Sequence, residues 1–384
     1  MGNDNSGGIT YTVPDYENDS SITSDDWSSF GNYTGGAYQG IDDNLYLMVG
    51  IFSYIVCIIG LIANTWVIFV LIRRLGLSSA GNMYILMLAI ADDLFLVSLI
   101  FQAASVIAFS WPFGEVLCYA VTAIDGLNMY ASAFFVTSMS IERYLAVRGS
   151  TRARIHRGRR KVFIVSAVVW VAALIAATPS VIMTDYYTHP TQGVSCSLNM
   201  ASLTGGNQTD QDSHTLGARI FITYNFTLNF FIPLTVTSLC YGRLINQMKQ
   251  VSIRNASGTS ADLGRVARVV TGVVVVFFIC WSPFYISRLL MAYFPYLNNW
   301  DGMAYVFELT LCFSYANSCL NPIIYALIND KFRDNLPRWP CSSKDPGYAK
   351  GRKKHQRMTS IRSTAQTDLH RGSLYRNNAS DTQT

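Results

Sequence analysis

Long runs of apolar residues, separated by shorter polar segments, dominate the pattern of this chain. Seven runs occur, each near the length of about 20 residues that a helix needs to cross a bilayer. They cover residues 45–72, 83–109, 117–141, 162–183, 220–241, 269–286 and 303–328. Lipid offers the backbone no hydrogen-bond partner, so runs of this length predict helices. The pattern therefore predicts an all-α membrane protein with a bundle of seven transmembrane helices.

The composition agrees with a membrane protein, because 50% of the 384 residues are hydrophobic and only 14% are charged. Soluble domains carry roughly 25% charged residues. No Lys or Arg precedes Arg73, whereas the segments after the first, third and fifth runs and the C-terminal tail are basic. The segments on the other side of the membrane have few basic residues, and these are Arg219 and Arg288. Since basic loops stay in the cytoplasm, we expect a multi-pass plasma-membrane protein with its N-terminus outside. The net charge of +5 then reflects this topology and not a nucleic-acid partner.

The two ends of the chain differ in charge. Residues 1–44 contain eight acidic residues and no basic one, and their Gly, Ser, Asn and Asp content predicts an extracellular disordered segment. Acceptor motifs for N-glycosylation occur at Asn18, Asn32 and Asn207. After the seven-helix domain at 45–328, we expect a short amphipathic helix at 329–341 and a disordered cytoplasmic tail at 342–384.

Eight cysteines are present, and most of them lie in the apolar runs, where cysteine is usually a small hydrophobic residue. Cys118 and Cys196 lie in segments predicted to be outside. Because the exterior is oxidising, we predict one disulfide between them. Cys341, after the last run, is either a palmitoylation site or an unmodified thiol.

Polar residues inside the runs are informative, because a charge at the bilayer centre costs about 2.5–3.5 kcal/mol on insertion scales. Asp92 and Asp93 lie in the second run, Asp125 in the third and Glu308 in the seventh. One interpretation is that such residues only join helices by hydrogen bonds, which suits Asn64. The other is that the Asp92 carboxylate, with Ser and Asn oxygens around it, binds a monovalent cation.

Several short motifs follow one another in order along these runs: "GLIANTWV", "LAIADDL", "WPFG", "IERY", "FFICWSPF" and "NPIIY". Trp170, Pro233, Tyr241 and Phe332 accompany them. Over residues 45–341 this arrangement resembles the rhodopsin-like (class A) G-protein-coupled receptors. The resemblance implies a seven-helix receptor with a short eighth helix and no enzymatic activity.

Three longer stretches indicate a branch of that family. The segments "AIDGLNMYASAFFVTSMSIERYLAV", "NFTLNFFIPLTVTSLCYGRLI" and "FSYANSCLNPIIYALINDKF" resemble the third, fifth and seventh helices of somatostatin receptors, and less closely those of opioid receptors. Allatostatin-C receptors belong to the same cluster. The resemblance implies an extracellular, cationic neuropeptide as ligand, inhibitory Gi/o proteins as partners and a fall in cyclic AMP as the signal.

The resemblance also implies roles for individual residues. A carboxylate at Asp125 pairs with a basic group of the ligand and is supported by Tyr315. The full set of implied ligand-binding residues is Asp125, Met129, Phe284, Tyr285, Arg288 and Tyr315. The resemblance implies no cofactor, but it implies an allosteric sodium ion. The residues expected to bind this ion are Asp92, Asn128, Ser132, Asn317, Ser318 and Asn321.

The adjacent acid and base of "IERY" are interpreted as a switch. Glu142 holds Arg143 at rest, and Arg143 meets the G protein when the sixth helix swings out. The implied switch residues are Glu142, Arg143, Tyr241, Phe277, Trp281, Pro283, Pro322 and Tyr325. The tail residues Thr359, Ser360, Ser363, Thr364 and Thr367 are candidate sites for receptor kinases and arrestin.

Two departures from the family pattern concern coupling and ligand identity: Ser150 replaces a usual proline, and Met87 replaces a usual Asn. A small biogenic amine is an alternative ligand, which would need hydroxyl groups such as those of Thr223 and Thr227 to face the pocket. A transporter or light-driven pump is a third reading. It is disfavoured because no internal repeat is visible and residues 303–328 contain no Lys.

Overall fold

The structure is a computed structural model, and it describes residues 43–77, 79–148, 159–189, 193–206, 211–254, 260–294, 296–297, 302–328 and 330–335. Within these ranges the long helices are α1 (Asp43–Val70), α2 (Ala80–Ala108), α3 (Glu115–Arg148), α4 (Arg159–Ile182), α5 (Gln211–Phe226), α6 (Ile232–Arg254), α7 (Ser260–Tyr293) and α8 (Gly302–Ile328). A one-turn helix, α9 (Asp330–Arg333), follows. The prediction of seven apolar helices is confirmed, because α5 and α6 together form the fifth.

The fifth predicted helix is interrupted by a π-helical turn at Thr227–Phe231 between α5 and α6. Pro233 lies just beyond this turn. Its backbone has no N–H to donate to the residue four positions earlier, and a widened turn accommodates that gap. A second π turn at Leu71–Leu75 extends α1.

Six of the spans in the described part of the chain are long and apolar enough to cross a membrane by length and composition alone. The remaining one, α3, is 34 residues long but carries Asp125, Glu142 and Arg143 within its length. The helices are longer than the predicted apolar runs, because polar residues continue the helical backbone beyond the apolar stretch. Large apolar side chains remain exposed on α1 and α4, among them Ile62 and Ile175. In a membrane protein such faces are covered by lipid.

The main hydrophobic core lies between the helices and includes Leu88, Phe135, Phe277 and Tyr325. α9 joins this core through Phe332, which is fully buried and packs its ring against Trp66 and Tyr325 at centroid distances of 6.2 and 5.8 Å. Of the predicted amphipathic helix at 329–341, the structure describes residues 330–335. They form a helix over Asp330–Arg333 and then a turn, in which the Asn335 N–H donates to the carbonyl oxygen of Phe332 at 3.0 Å. Residues 329 and 336–341 lie outside the described part.

A two-stranded antiparallel hairpin, β1 (Thr184–His189) and β2 (Gly193–Leu198), lies between α4 and α5. The predicted disulfide is present, with Cys118 at the start of α3 bonded to Cys196 in β2 and a Cα–Cα distance of 5.8 Å. The backbone N–H of Trp111 also donates to the carbonyl oxygen of Val194 at 2.7 Å. The hairpin is therefore fixed to the end of the bundle that we call the hairpin end. The opposite end, with Glu142 and Arg143, is called the switch end.

Candidate functional site

A cavity of about 100 Å³ opens between the helices at the hairpin end. Its lining includes side chains from α2, α3, α4, β2, α5, α7 and α8. All six predicted ligand-binding residues lie in its wall: Asp125, Met129, Phe284, Tyr285, Arg288 and Tyr315. A ligand site typically has a mainly apolar lining with a few placed polar groups. The cavity has the composition of a ligand site.

Asp125 places a carboxyl group in the wall of this cavity from α3. Tyr315, on α8, faces the same space and is buried, with its ring 5.7 Å from that of Phe95. Gly126, next to Asp125, lies against Ala177 of α4, which brings the two helices close at this level. The fold thus brings together the acid and the hydroxyl group that the sequence placed in one site.

Aromatic rings form the part of the cavity wall that α7 contributes. Trp281 stacks on Tyr285 at a centroid distance of 5.8 Å and meets Phe284 edge-on at 5.8 Å. Below it, Phe277 lies 6.1 Å from Trp281. These rings occur at helical spacing, and Pro283 lies within the same helix. A ligand in the cavity would contact Trp281 directly, and the aromatic series continues from it toward the switch end.

Arg288 lies within α7, which continues to Tyr293 beyond the end of the sixth apolar run, and it is only 9% exposed. Its guanidinium carbon lies 5.5 Å from the ring centre of Phe284 and 5.2 Å from that of Phe307. The charge also interacts with Glu308 on α8. Two aromatic faces and a nearby carboxylate allow this arginine to be buried at the hairpin end.

The wall formed by α5 contains residues that sequence reasoning missed. Phe221, Ile222 and Asn225 line the cavity, and the Asn225 amide oxygen accepts a hydrogen bond of 2.6 Å from the Tyr130 hydroxyl group. The sequence did carry a signal for the contact of Asn225, because an amide within a transmembrane helix usually bonds to a neighbouring helix.

Thr223 and Thr227 do not line this cavity. Thr223 is exposed and shares a hydrogen bond of 2.8 Å with the Tyr293 hydroxyl group, while Thr227 donates to the carbonyl oxygen of Thr223. The hydroxyl groups that an amine ligand would need therefore point elsewhere.

A second polar cluster lies deeper in the bundle, around Asp92. Asp92 is fully buried and accepts a hydrogen bond of 3.0 Å from the Asn321 amide, and Ser318 lies beside the same carboxyl group. On α3, the Ser132 hydroxyl group donates to the amide oxygen of Asn128 at 3.2 Å. Asn317 is also buried. All six residues predicted for the cation site are thus buried in the bundle, and Asn321 and Ser318 lie next to Asp92.

The oxygens of this cluster fit a hard cation. Among the described residues, Asp92 Oδ1 and the amide oxygens of Asn317 and Asn321 have no hydrogen-bond partner although they are buried. Carboxylate and carbonyl oxygens are the ligands that hard cations prefer. Asn64 has a different role, because its amide donates to the backbone oxygen of Ser318 at 2.9 Å and joins α1 to α8.

At the switch end, Arg143 Nε lies 3.4 Å from Glu142 Oε2, as the resemblance implied for the resting pair. Tyr241, from α6, lies beside Ser140, Thr271 and Arg143. Tyr325 is fully buried one turn beyond Pro322, which lies within α8. The fold therefore brings Glu142, Arg143 and Tyr241 together at this end.

Met87, the departure in α2, also has a partner. The indole N–H of Trp170 donates to the Met87 sulfur at 3.4 Å, so a contact between α2 and α4 is kept without an amide. Ser150, the other departure, lies outside the described residues. So do the predicted glycosylation sites Asn18, Asn32 and Asn207, the lipidation site Cys341 and the candidate phosphorylation sites of the tail.

Comparison with known proteins gives a consistent result. Residues 63–325 match the sequence model of the family described as 7 transmembrane receptor (rhodopsin family). The chain is 36% identical over 291 residues to somatostatin receptor type 4 of Rattus norvegicus, covering 75% of this chain and 71% of that protein. It is 34% identical over 319 residues to somatostatin receptor type 2 of Mus musculus, covering 83% and 84%. Against somatostatin receptor type 5 of Bos taurus it is 35% identical over 306 residues, covering 79% and 78%.

Proposed function

Because this chain belongs to the rhodopsin family of seven-transmembrane receptors, in the somatostatin receptor cluster, we propose that it is a plasma-membrane receptor for a cationic neuropeptide. It is a multi-pass membrane receptor and not an enzyme. The finer proposal is that a somatostatin-like or allatostatin-C-like peptide binds from outside and that inhibitory Gi/o proteins lower cyclic AMP. The observation that carries it is Asp125 in the wall of the cavity at the hairpin end.

Binding starts from electrostatics. The 44 residues at the N-terminus carry eight acids and no base, so they attract a cationic peptide toward the hairpin end. Inside the cavity a lysine or arginine of the peptide pairs with the Asp125 carboxylate, and Tyr315 supports that carboxylate. Met129, Phe284 and Tyr285 supply the apolar contacts around the pair.

The signal passes from the cavity through Trp281, since this ring lines the cavity and also packs toward Phe277. A shift of Trp281 moves α7 about the region of Pro283, and the switch-end part of α7 then swings away from α3. Arg143 leaves Glu142 and becomes available to the G protein, with Tyr241 and Tyr325 supporting the new arrangement. The phosphorylated tail would then recruit arrestin.

We also propose that the oxygens around Asp92 hold a sodium ion that favours the resting state. When bound, the ion supplies the positive charge that a buried carboxylate otherwise lacks. Asp92, Asn128, Ser132, Asn317, Ser318 and Asn321 would hold it. The buried oxygens of this cluster that lack hydrogen-bond partners among the described residues support the proposal.

An amine ligand is the weaker alternative. The α5 wall of the cavity consists of Phe221, Ile222 and Asn225, while Thr223 bonds to Tyr293 instead. No observation favours the amine over the peptide.

Inhibition of cyclic AMP in cells expressing the receptor tests the function. A panel of cationic cyclic peptides, somatostatin-like and allatostatin-C-like, is applied to wild type and to Asp125→Asn. We expect at least one peptide to act on the wild type and to lose roughly 100-fold in potency on Asp125→Asn, because the charge pair is lost in a desolvated site.

The matched control is Glu115→Gln, which removes an exposed carboxylate at the first turn of α3, outside the cavity lining. It should leave the potency unchanged. If no peptide lowers cyclic AMP although the receptor is expressed at the surface, the proposed peptide class or the proposed Gi/o coupling is wrong. If Asp125→Asn retains full potency, the role of Asp125 is wrong.

A further inference from the structure

The guanidinium group of Arg143 lies directly over Gly81, at the first turn of α2. A methyl group built on Gly81 would overlap with Arg143 Nη2, and the next nearest side-chain atom of another residue is the Ser79 hydroxyl oxygen at 3.8 Å. Arg143 therefore occupies the space that a side chain at position 81 would fill. Its own side chain is only 14% exposed.

The pair with Glu142 does not by itself explain this placement. The Nε–Oε2 distance is 3.4 Å, and within the described part of the chain neither of these two atoms makes a hydrogen bond. An ion pair without hydrogen bonds is a weak constraint on a long side chain. The position of Arg143 thus depends on what surrounds it as well as on its acidic neighbour.

α2 supplies those surroundings. Tyr84 follows Gly81 by three residues and so lies on the same face of the helix. It is buried, and it interacts electrostatically with both Glu142 and Arg143. Its ring packs against Phe135 of α3 at 6.4 Å, which fixes the two helices against each other at this level. Gly81 and Tyr84 form a recess on α2 for the end of Arg143, which we call the arginine recess.

We propose that Gly81 is a positioning residue for the switch: its missing side chain creates the arginine recess that holds Arg143 beside Glu142 at rest. A side chain at position 81 displaces the guanidinium group and leaves the rest of α2 in place. The displaced arginine leaves Glu142 and becomes available at the switch end without a ligand. The receptor then has raised ligand-independent activity.

The substitution Gly81→Ala suits this test because it does not threaten the fold. The overlapping atom is the end of a flexible side chain, so Arg143 moves before the backbone does. Alanine also favours a helix over glycine. In the absence of Arg143 the substitution should stabilise the receptor and do nothing else.

The first experiment is a double-mutant cycle on the thermal midpoint of the full-length receptor in detergent, which needs neither ligand nor G protein. Gly81→Ala should raise the midpoint by roughly 1–3 °C in the Arg143→Ala background. When Arg143 is present, Gly81→Ala should not raise the midpoint. The added methyl group then displaces Arg143 from its recess, and this loss offsets the gain in helix stability. Gly242→Ala is the matched control, because Gly242 lies in α6 with nothing within 4 Å of its added methyl group, and it should stabilise both backgrounds alike.

The second readout is ligand-independent nucleotide exchange on Gi/o in membranes, which rests on the proposed function. Gly81→Ala should raise it severalfold, whereas Gly242→Ala should not. Glu142→Gln is the positive control, because it releases Arg143 by removing the negative charge that pairs with it.

Two results would overturn the inference. One is a Gly81→Ala stabilisation that is equal in the two backgrounds, which would mean that no recess exists. The other is unchanged exchange in Gly81→Ala while Glu142→Gln raises it, which would mean that the recess does not set the resting state. If neither variant raises exchange on Gi/o, the proposed coupling is at fault, and the thermal cycle alone decides on the recess.

Discussion

The cavity at the hairpin end and the polar cluster around Asp92 use the same kinds of residue in different ways. The cavity has Asp125 and Arg288 in its wall, where a ligand can reach them. In the deeper cluster, polar residues bond to each other across helices, as Asn321 does with Asp92 at 3.0 Å. One region is arranged to receive a group from outside, and the other is arranged around its own oxygens.

Substitutions in the two regions should therefore have different effects. A buried polar group that bonds to its neighbours sets the balance between receptor states and the stability of the bundle. A polar group in the wall of a cavity sets which ligand is bound. Changes in the cavity should therefore alter peptide affinity most, and changes in the cluster should alter stability or the response to ions.

The largest effect after Asp125→Asn is expected for Arg288→Gln. This change removes the guanidinium group that lies between Phe284 and Phe307 and that interacts with the Glu308 carboxyl group. We expect peptide affinity to fall about tenfold, or about 1.4 kcal/mol, in competition binding. Arg288→Lys should not restore it, because an ammonium group lacks the planar face that packs on rings.

The control for this comparison is Arg219→Gln. Arg219 also lies over an aromatic ring, that of Tyr293 at 5.7 Å, but it does not line the cavity. Its loss should leave affinity unchanged. Tighter peptide binding by Arg288→Gln would contradict the account, since it would mean that Arg288 only repels a cationic ligand.

A smaller effect is expected at the deeper cluster. Replacing NaCl by a salt of a bulky organic cation at equal ionic strength should raise agonist affinity a few-fold, because the resting state loses its ion. Asp92→Asn should abolish this dependence, since the amide supplies no negative charge. Agonist titrations of the wild type and of Asp92→Asn in the two salts measure this sodium dependence. A sodium dependence that survives in Asp92→Asn would place the ion elsewhere.

The smallest effect is expected for Tyr130→Phe, at the boundary between the two regions. It removes the hydroxyl group that donates to Asn225 at 2.6 Å and leaves a buried amide oxygen without this partner. Such a loss costs about 1–3 kcal/mol, so the thermal midpoint should fall by roughly 2–6 °C. Tyr305→Phe, on an exposed tyrosine, should change nothing. An unaltered midpoint in Tyr130→Phe would show that water replaces the hydroxyl group.

The sequence predicted the helices, the disulfide and the residues of the cavity because each is encoded in a signal along the chain. Apolar length predicts a span, two outer cysteines predict a bridge, and family motifs place Asp125, Trp281 and Tyr315. The bundle then brings these residues to one wall.

Contacts between helices could not be predicted in the same way. The pairs Tyr130–Asn225, Trp170–Met87 and Arg143–Gly81 depend on how two helices are rotated and how closely they approach, and no spacing along one chain encodes that. The full length of α7 could not be predicted either, because its apolar run ends at residue 286. Two aromatic faces shield the charge of Arg288 where the helix continues beyond that run.

A double-mutant cycle across the complex tests whether Asp125 receives the basic group of a peptide. The active peptide and its analogue with norleucine in place of the critical lysine are titrated on wild type and on Asp125→Asn, with cyclic AMP as the readout. The account predicts that each change alone costs roughly 100-fold in potency and that the second change adds little once the first is made. Costs that simply add would show that the lysine and Asp125 do not meet, and would contradict the account.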